Sequence, residues 1–337
     1  MKESSEHTSI SEWIHSIENG QIRSLSRAIT LLESTREEDQ HRAGNLLKEN
    51  LARLSAIERA PTIRIGISGP PGVGKSSYIE SLGMHLLSLG HRVCVLAVDP
   101  SSQLSGGSIL GDKTRMDRLS TQPNAFIRPS PSQQFLGGVT HATQSIMSLC
   151  ELAGYSIILI ETVGIGQSEG AVADMVDCFV LLNQPGSGDE LQGIKRGIIE
   201  MADAIVINKS DGENIKNTRI AKIEFSRALH LYPPKENGWQ PKVLTASALE
   251  NTGIDIISKM IDQYIHVTKK QGYFNAKRDN QNTFWLKTTI EESLYHSFFN
   301  DKIISSELRQ EIEFLKTSKT TPFNAAKKLL KKYHGET

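Results

Sequence analysis

The chain has 337 residues, 38% hydrophobic and 23% charged, with 38 basic side chains against 38 acidic ones. The apolar share suffices for a large core and exceeds that of a disordered chain, and zero net charge excludes coating of nucleic acid or an anionic membrane by bulk electrostatics. No apolar run approaches the roughly 18 residues that span a bilayer, the polar start Met1–His7 carries no secretory or transit signal, and Cys94, Cys150 and Cys178 stand singly, as buried thiols of a reducing cytoplasm do.

Residues 1–60 read as helical. Leu25, Ala28, Ile29 and Leu32 follow the i, i+3, i+4, i+7 spacing, and Ala43, Leu46, Leu47 and Leu54 nearly repeat it, with polar Ser34-Thr35 between them. After Pro61 short apolar runs alternate with helical patterns: Ile63–Ser68, Val93–Asp99, Ile157–Glu161, Cys178–Leu182, Ala204–Asn208 and Lys242–Thr245. Strands separated by helices predict βαβ crossovers, hence an α/β fold with a mostly parallel sheet flanked by helices. From about Val267 the strands stop and helical spacing returns, in a tail rich in lysine. The expected division is 1–60, a helical arm; 61–267, the α/β domain; and 268–337, a helical C-terminal region. Phe323, Ala326, Leu330 and Tyr333 share one face of a basic terminal helix, which reads as a surface helix with a solvated lysine side.

Directly after the first strand, Gly69-Pro70-Pro71-Gly72-Val73-Gly74-Lys75-Ser76 matches G-x-x-x-x-G-K-[ST], and a helical run follows from Ser77. Strand, loop and helix in that order are the context a P-loop requires. Its glycines let backbone amides turn inward around an anion, and the helix N-terminus adds a positive dipole end. Lys75 can neutralise the outer phosphates, and the Ser76 hydroxyl can ligate Mg2+.

The base is read from Asn208-Lys209-Ser210-Asp211, which follows a late strand. A carboxylate at Asp211 accepts hydrogen bonds from the N1–H and exocyclic amine of guanine. Adenine has no such donor pair and would leave that carboxylate unmatched, so GTP and GDP are expected over ATP. Lys209 can lay its stem along the base, Asn208 can tie this loop to the phosphate loop, and Ser247-Ala248 can offer an amide to the guanine carbonyl.

Acidic residues ending parallel strands point into the crevice at the carboxyl edge. Asp99 and Glu161 occupy such places, as metal-side candidates. Glu161-Thr-Val-Gly164 fills the slot of a D-x-x-G motif, where the Gly164 amide would sense the outer phosphate, and Gln167 just beyond it reads equally as a water-orienting residue or as a hydrogen-bonded loop amide. Asp112, in the glycine-rich stretch Gly106–Thr114, can bring a carboxylate to the metal or the attacking water. Pro185–Arg196 forms a third loop in which Asp189 reads as an N-cap and Lys195 and Arg196 as a solvated helix face. The ten histidines show no metal-ligand pairing.

These motifs resemble the GTPase chaperones of adenosylcobalamin-dependent methylmalonyl-CoA mutase, the bacterial MeaB/ArgK type related to the human methylmalonic aciduria type A protein. Gly69–Ser76, Asp99–Ser102, Gly106–Met116, Arg128–Ser132, Glu161–Glu169, Gly188–Gly197 and Asn208–Asp211 carry the resemblance. It implies a homodimer, joined through the C-terminal region, that binds GTP/GDP and Mg2+ and hydrolyses GTP slowly alone. It implies docking on the mutase, gated cofactor delivery and protection or rescue of that enzyme; the charge balance and hydropathy above point to no nucleic acid or membrane partner. By that likeness Asp99, Asp112 and Glu161 are metal-side residues, and the loop carrying Lys195 is a third switch. The chain departs from the family at Asn183-Gln184, where apolar residues are expected, and at Ala276–Trp285, which is less basic. Other readings are an ATP-dependent kinase of an amino-acid transport component, a metallochaperone GTPase, or a nucleotide-gated binding module with incidental hydrolysis.

Overall fold

A computed structural model describes residues 9–34, 36–99, 116–131, 141–162, 168–185 and 196–335. The chain opens with helices α1 (Ile10–Glu18), α2 (Ile22–Leu32) and α3 (Glu37–Ala56). Ser9 and Glu12 close a reciprocal capping box at the start of α1, a signal too short to stand out by periodicity. Trp13, Ile14, Ile17, Leu25, Ala28, Ile29 and Leu46 are buried in this arm, which lies against helix α6 (His141–Leu152).

The sheet follows in the order β3-β2-β4-β1-β5-β6-β7, with every pairing parallel. Its strands are β1 (Ile63–Ser68), β2 (Val93–Asp99), β3 (Ala125–Pro131), β4 (Ile157–Thr162), β5 (Cys178–Asn183), β6 (Ala204–Ile207) and β7 (Lys242–Thr245). Strands β4, β5 and β6 are buried at every position, because helices cover both faces of a parallel sheet and leave no residue for water. The covering helices are α4 (Lys75–Ser88), α5 (Asp117–Ser120), α6, α7 (Ser168–Ala173), α8 (Arg196–Met201), α9 (Asn214–Leu229) and α10 (Ile254–Lys270). Ile65, Ile67, Tyr78, Leu82, Val180 and Tyr264 belong to one continuous core.

One strand was not legible in the sequence. β3 contains Pro129 and Pro131, which cannot donate to a ladder, and it pairs with β2 alone. An edge strand tolerates the missing donors. The strand in the apolar run at 204–208 ends one residue early: Asn208 still gives its amide to the Asn183 carbonyl, while its side chain serves the loops beyond.

The chain divides into two compact units, Met1–Arg278 and Asp279–Thr337, helix α11 (Tyr273–Asn300) running through the boundary. In the second unit α12 (Lys302–Lys316) is capped by Asp301, which accepts from the amides of Ile303 and Ile304, and α13 (Pro322–Tyr333) by Thr321. Leu294, Phe298, Leu308, Ile312, Leu329 and Leu330 line an apolar cavity of about 550 Å3 there. On the terminal helix Ala325 and Leu329 are buried, while Phe323 and Leu330 stand exposed.

Candidate nucleotide site

Parallel pairing places the carboxyl ends of all seven strands on one edge, and the strand order reverses on either side of β1. That reversal opens the crevice in which α/β sheets bind ligands. The loop 69–74 leaves β1 there and turns into α4. Gly69 has φ 153°, and a Cβ on it would overlap the Leu182 carbonyl; Gly74 has φ 87°, and a Cβ there would stand 2.9 Å from Asn208 Nδ2. Only glycine fits either position without displacing β5 or the base loop.

Lys75, 9% exposed, donates to the carbonyls of Gly69 (2.7 Å) and Pro70 (3.1 Å), so its ammonium is held across the mouth of the loop. Ser76 donates to Glu161 Oε1 at 3.0 Å. Glu161 sits in β4, next to β1, and is as buried as Lys75. Beside it Thr162 donates to Ser68 Oγ at 2.8 Å, locking the two strand ends together. A hydroxyl and a carboxylate side by side form the all-oxygen donor set that a hard divalent cation takes.

Asn208 Nδ2 donates to the Val73 carbonyl at 2.9 Å, and its Oδ1 accepts from the Ala248 amide at 3.3 Å. One side chain thus joins the phosphate loop, the base loop and the 247–248 turn. Lys209 donates to the Gly72 carbonyl (2.6 Å) and to Gln184 Oε1 (2.8 Å). Asp211 Oδ2 accepts from the Ser247 hydroxyl, which also takes the Glu250 amide at 3.0 Å. The Ser247 amide itself is engaged, donating to the Thr252 carbonyl at 3.0 Å, and Ser81 on α4 donates to the Ala248 carbonyl at 2.8 Å.

The structure therefore brings together Gly69–Ser76, Glu161, Asn208, Lys209, Asp211, Ser247 and Ala248, with Ser77 in the first turn of α4. Asp99 closes β2 on the same edge. Asp112, Gly164, Gln167 and Lys195 lie outside the described residues. Sequence reasoning passed over two anchors, the Ser247 hydroxyl on Asp211 and the Gln184 carbonyl on Lys209. Gln184 had a signal: two polar residues where an apolar strand meets Pro185.

The family model for the methylmalonyl-CoA mutase-associated GTPase MeaB matches residues 25–302. The chain belongs to the MeaB family. A protein of Mycobacterium tuberculosis named a probable GTPase is 47% identical over 315 residues, covering 93% of this chain and 92% of that one. Escherichia coli GTPase ArgK is 42% identical over 95% of both chains, and the mouse methylmalonic aciduria type A homolog, mitochondrial, is 47% identical over 93% of this chain and 77% of its own. The crystal structure of an LAO/AO transport system kinase superposes with a TM-score of 0.76 at 35% identity, over 99% of this chain and 100% of that one. This chain is a P-loop GTPase: it binds guanine nucleotide and hydrolyses GTP. Among the described residues no helix is long and apolar enough to cross a membrane.

Proposed function

We propose that this GTPase serves an adenosylcobalamin-dependent methylmalonyl-CoA mutase, or a related acyl-CoA mutase, gating delivery of its cofactor and protecting or reactivating it. The observation that carries the reading is the match to the mutase-associated GTPase family across residues 25–302; a base loop in which the Ser247 hydroxyl holds the Asp211 carboxylate supports guanine as the base. Ser76 and Glu161 would hold Mg2+, with Asp99 and Asp112 as further metal-side carboxylates; the ion would supply charge neutralisation for the transferred phosphoryl group. Lys75 stabilises developing phosphoryl charge, Gln167 orients the attacking water, and Lys195 acts when the partner docks. The arm 1–60, GTPase domain 61–267 and C-terminal region 268–337 remain our division of labour, the last as a homodimerisation element. The apolar cavity on the second unit and its exposed Leu294, Tyr295 and Phe299 support that assignment. Three free, buried thiols fit a reducing compartment, the cytoplasm.

Affinity capture with and without a non-hydrolysable GTP analogue tests the partner: mutase subunits should dominate the nucleotide-dependent fraction. Their absence from both fractions defeats the reading. Lys195→Ala should keep slow basal turnover but lose most of the mutase-induced acceleration. The superposition on an LAO/AO transport system kinase favours a kinase as the second reading; equal competition by ATP and GTP for the site would point to it.

A further inference from the structure

Lys209 is an exposed residue of the base loop that is nevertheless tied at both backbone and side chain. Its backbone is left-handed, φ 56°, a region that side-chain-bearing residues rarely occupy. Neighbouring ladder bonds hold it there: the Asn208 amide donates to the Asn183 carbonyl at 2.7 Å, and the Ser210 amide to the Ala246 carbonyl at 3.0 Å. The side chain then turns back over the phosphate loop and ends between two acceptors, the Gly72 carbonyl and Gln184 Oε1. A lysine has a long flexible stem, and one acceptor leaves it many rotamers. The second acceptor, on a different strand end, fixes it.

That second acceptor is itself built in. Gln184 is half-buried, and its backbone N–H donates to Asn183 Oδ1 at 2.7 Å. Asn183 is fully buried as the last residue of β5, so its side chain sets the direction in which Gln184 leaves the strand. Two polar side chains thus do, at the end of an apolar strand, what apolar ones cannot.

We propose that Gln184 is a positioning residue for guanine-nucleotide retention, presenting its side-chain carbonyl to Lys209 so that the base loop and the phosphate loop close as one clasp. Gln184 acts through Lys209, and the inference rests on the reading that the Lys209 stem borders the base. Without the glutamine carbonyl the ammonium keeps Gly72 alone, the stem samples more conformers, and bound nucleotide leaves faster.

The test is dissociation of fluorescent, ribose-labelled GDP chased by excess GDP. Gln184→Ala and Gln184→Leu should each speed release about three- to tenfold, equivalent to roughly 0.7–1.4 kcal/mol. Gln184→Glu restores an acceptor and should bring release back to the wild-type rate or slower. In a Lys209→Met background Gln184→Ala should add nothing, because its effect runs through the lysine. Unchanged release in Gln184→Ala and Gln184→Leu, failure of the glutamate to restore retention, or an undiminished effect in the Lys209→Met background would each overturn the proposal. A wild-type protein that does not retain labelled GDP at all would instead sink the base-loop reading beneath it.

Discussion

Lys75 and Asp211 are each fixed by neighbours, and this makes their contributions separable. Lys75 spans the Gly69 and Pro70 carbonyls, groups that water can serve when the lysine is removed. Lys75→Ala should therefore abolish nucleotide retention while leaving the melting temperature of nucleotide-free protein within a few degrees of wild type. A nucleotide-filter assay beside thermal unfolding checks both halves. Asp211 is oriented by Ser247, whose hydroxyl also takes the Glu250 amide. Ser247→Ala frees the carboxylate to rotate and should weaken GDP about three- to thirtyfold, the effect of roughly 0.7–2 kcal/mol from one charge-assisted hydrogen bond. Asp211→Asn should go further and reverse preference towards xanthine nucleotides, whose edge presents the opposite polarity. Titration calorimetry with GDP and xanthosine diphosphate decides it.

At the scale of elements, the edge opposite the nucleotide is tied by charge. Asp177, buried just before β5, accepts from the Arg64 amide of β1 at 2.8 Å and takes a two-pronged bond from Arg278, at 2.8 and 2.7 Å. Arg278 also reaches the Thr62 carbonyl at 2.6 Å, so one guanidinium fastens α11 to two adjacent strands. Arg278→Ala leaves a buried carboxylate with its main partner gone, which costs about 3–5 kcal/mol. Differential scanning calorimetry should show a drop of roughly five to ten degrees, and Arg278→Lys, which cannot reproduce the fork, should recover only part of it. Between α12 and α13 the charge pair is exposed. The Lys332 hydrogen bond holds the Glu307 carboxyl below its ordinary value. A carboxyl lowered in the folded state lends stability above its unfolded pKa and loses it as pH falls through the folded one. Lys332→Gln should melt slightly earlier than wild type near neutrality and coincide with it in strongly acidic buffer, followed by circular dichroism.

For the whole molecule the question is what the second unit is for. Its cavity of about 550 Å3 is apolar, and Leu294 and Leu330, both lining it, are 58% and 49% exposed. Exposed apolar side chains around such a cavity are candidates for a contact between copies. If it joins two copies, wild type should sediment as a dimer, and Leu294→Glu with Leu330→Glu should shift the boundary to the monomer while GDP binding persists. A monomeric wild type would remove dimerisation from the C-terminal region's role.

The sequence by itself determined six of the sheet's seven strands and, at its carboxyl edge, the phosphate and base loops, because parallel strands buried on both faces must be apolar throughout and phosphate loops need glycine where backbone meets anion. Gly69–Ser76 and Asn208–Asp211 were legible for that reason: local geometry forces the residue type. Strand β3 was not, since its prolines are tolerated only by an edge position that depends on the order of the other strands. Nor could the sequence pair Ser76 with Glu161, Ser247 with Asp211 or Gln184 with Lys209, which lie 85, 36 and 25 residues apart. Those contacts exist because β4, β5, β6 and β7 end side by side around β1, and strand order is settled by packing the whole core rather than by any local preference.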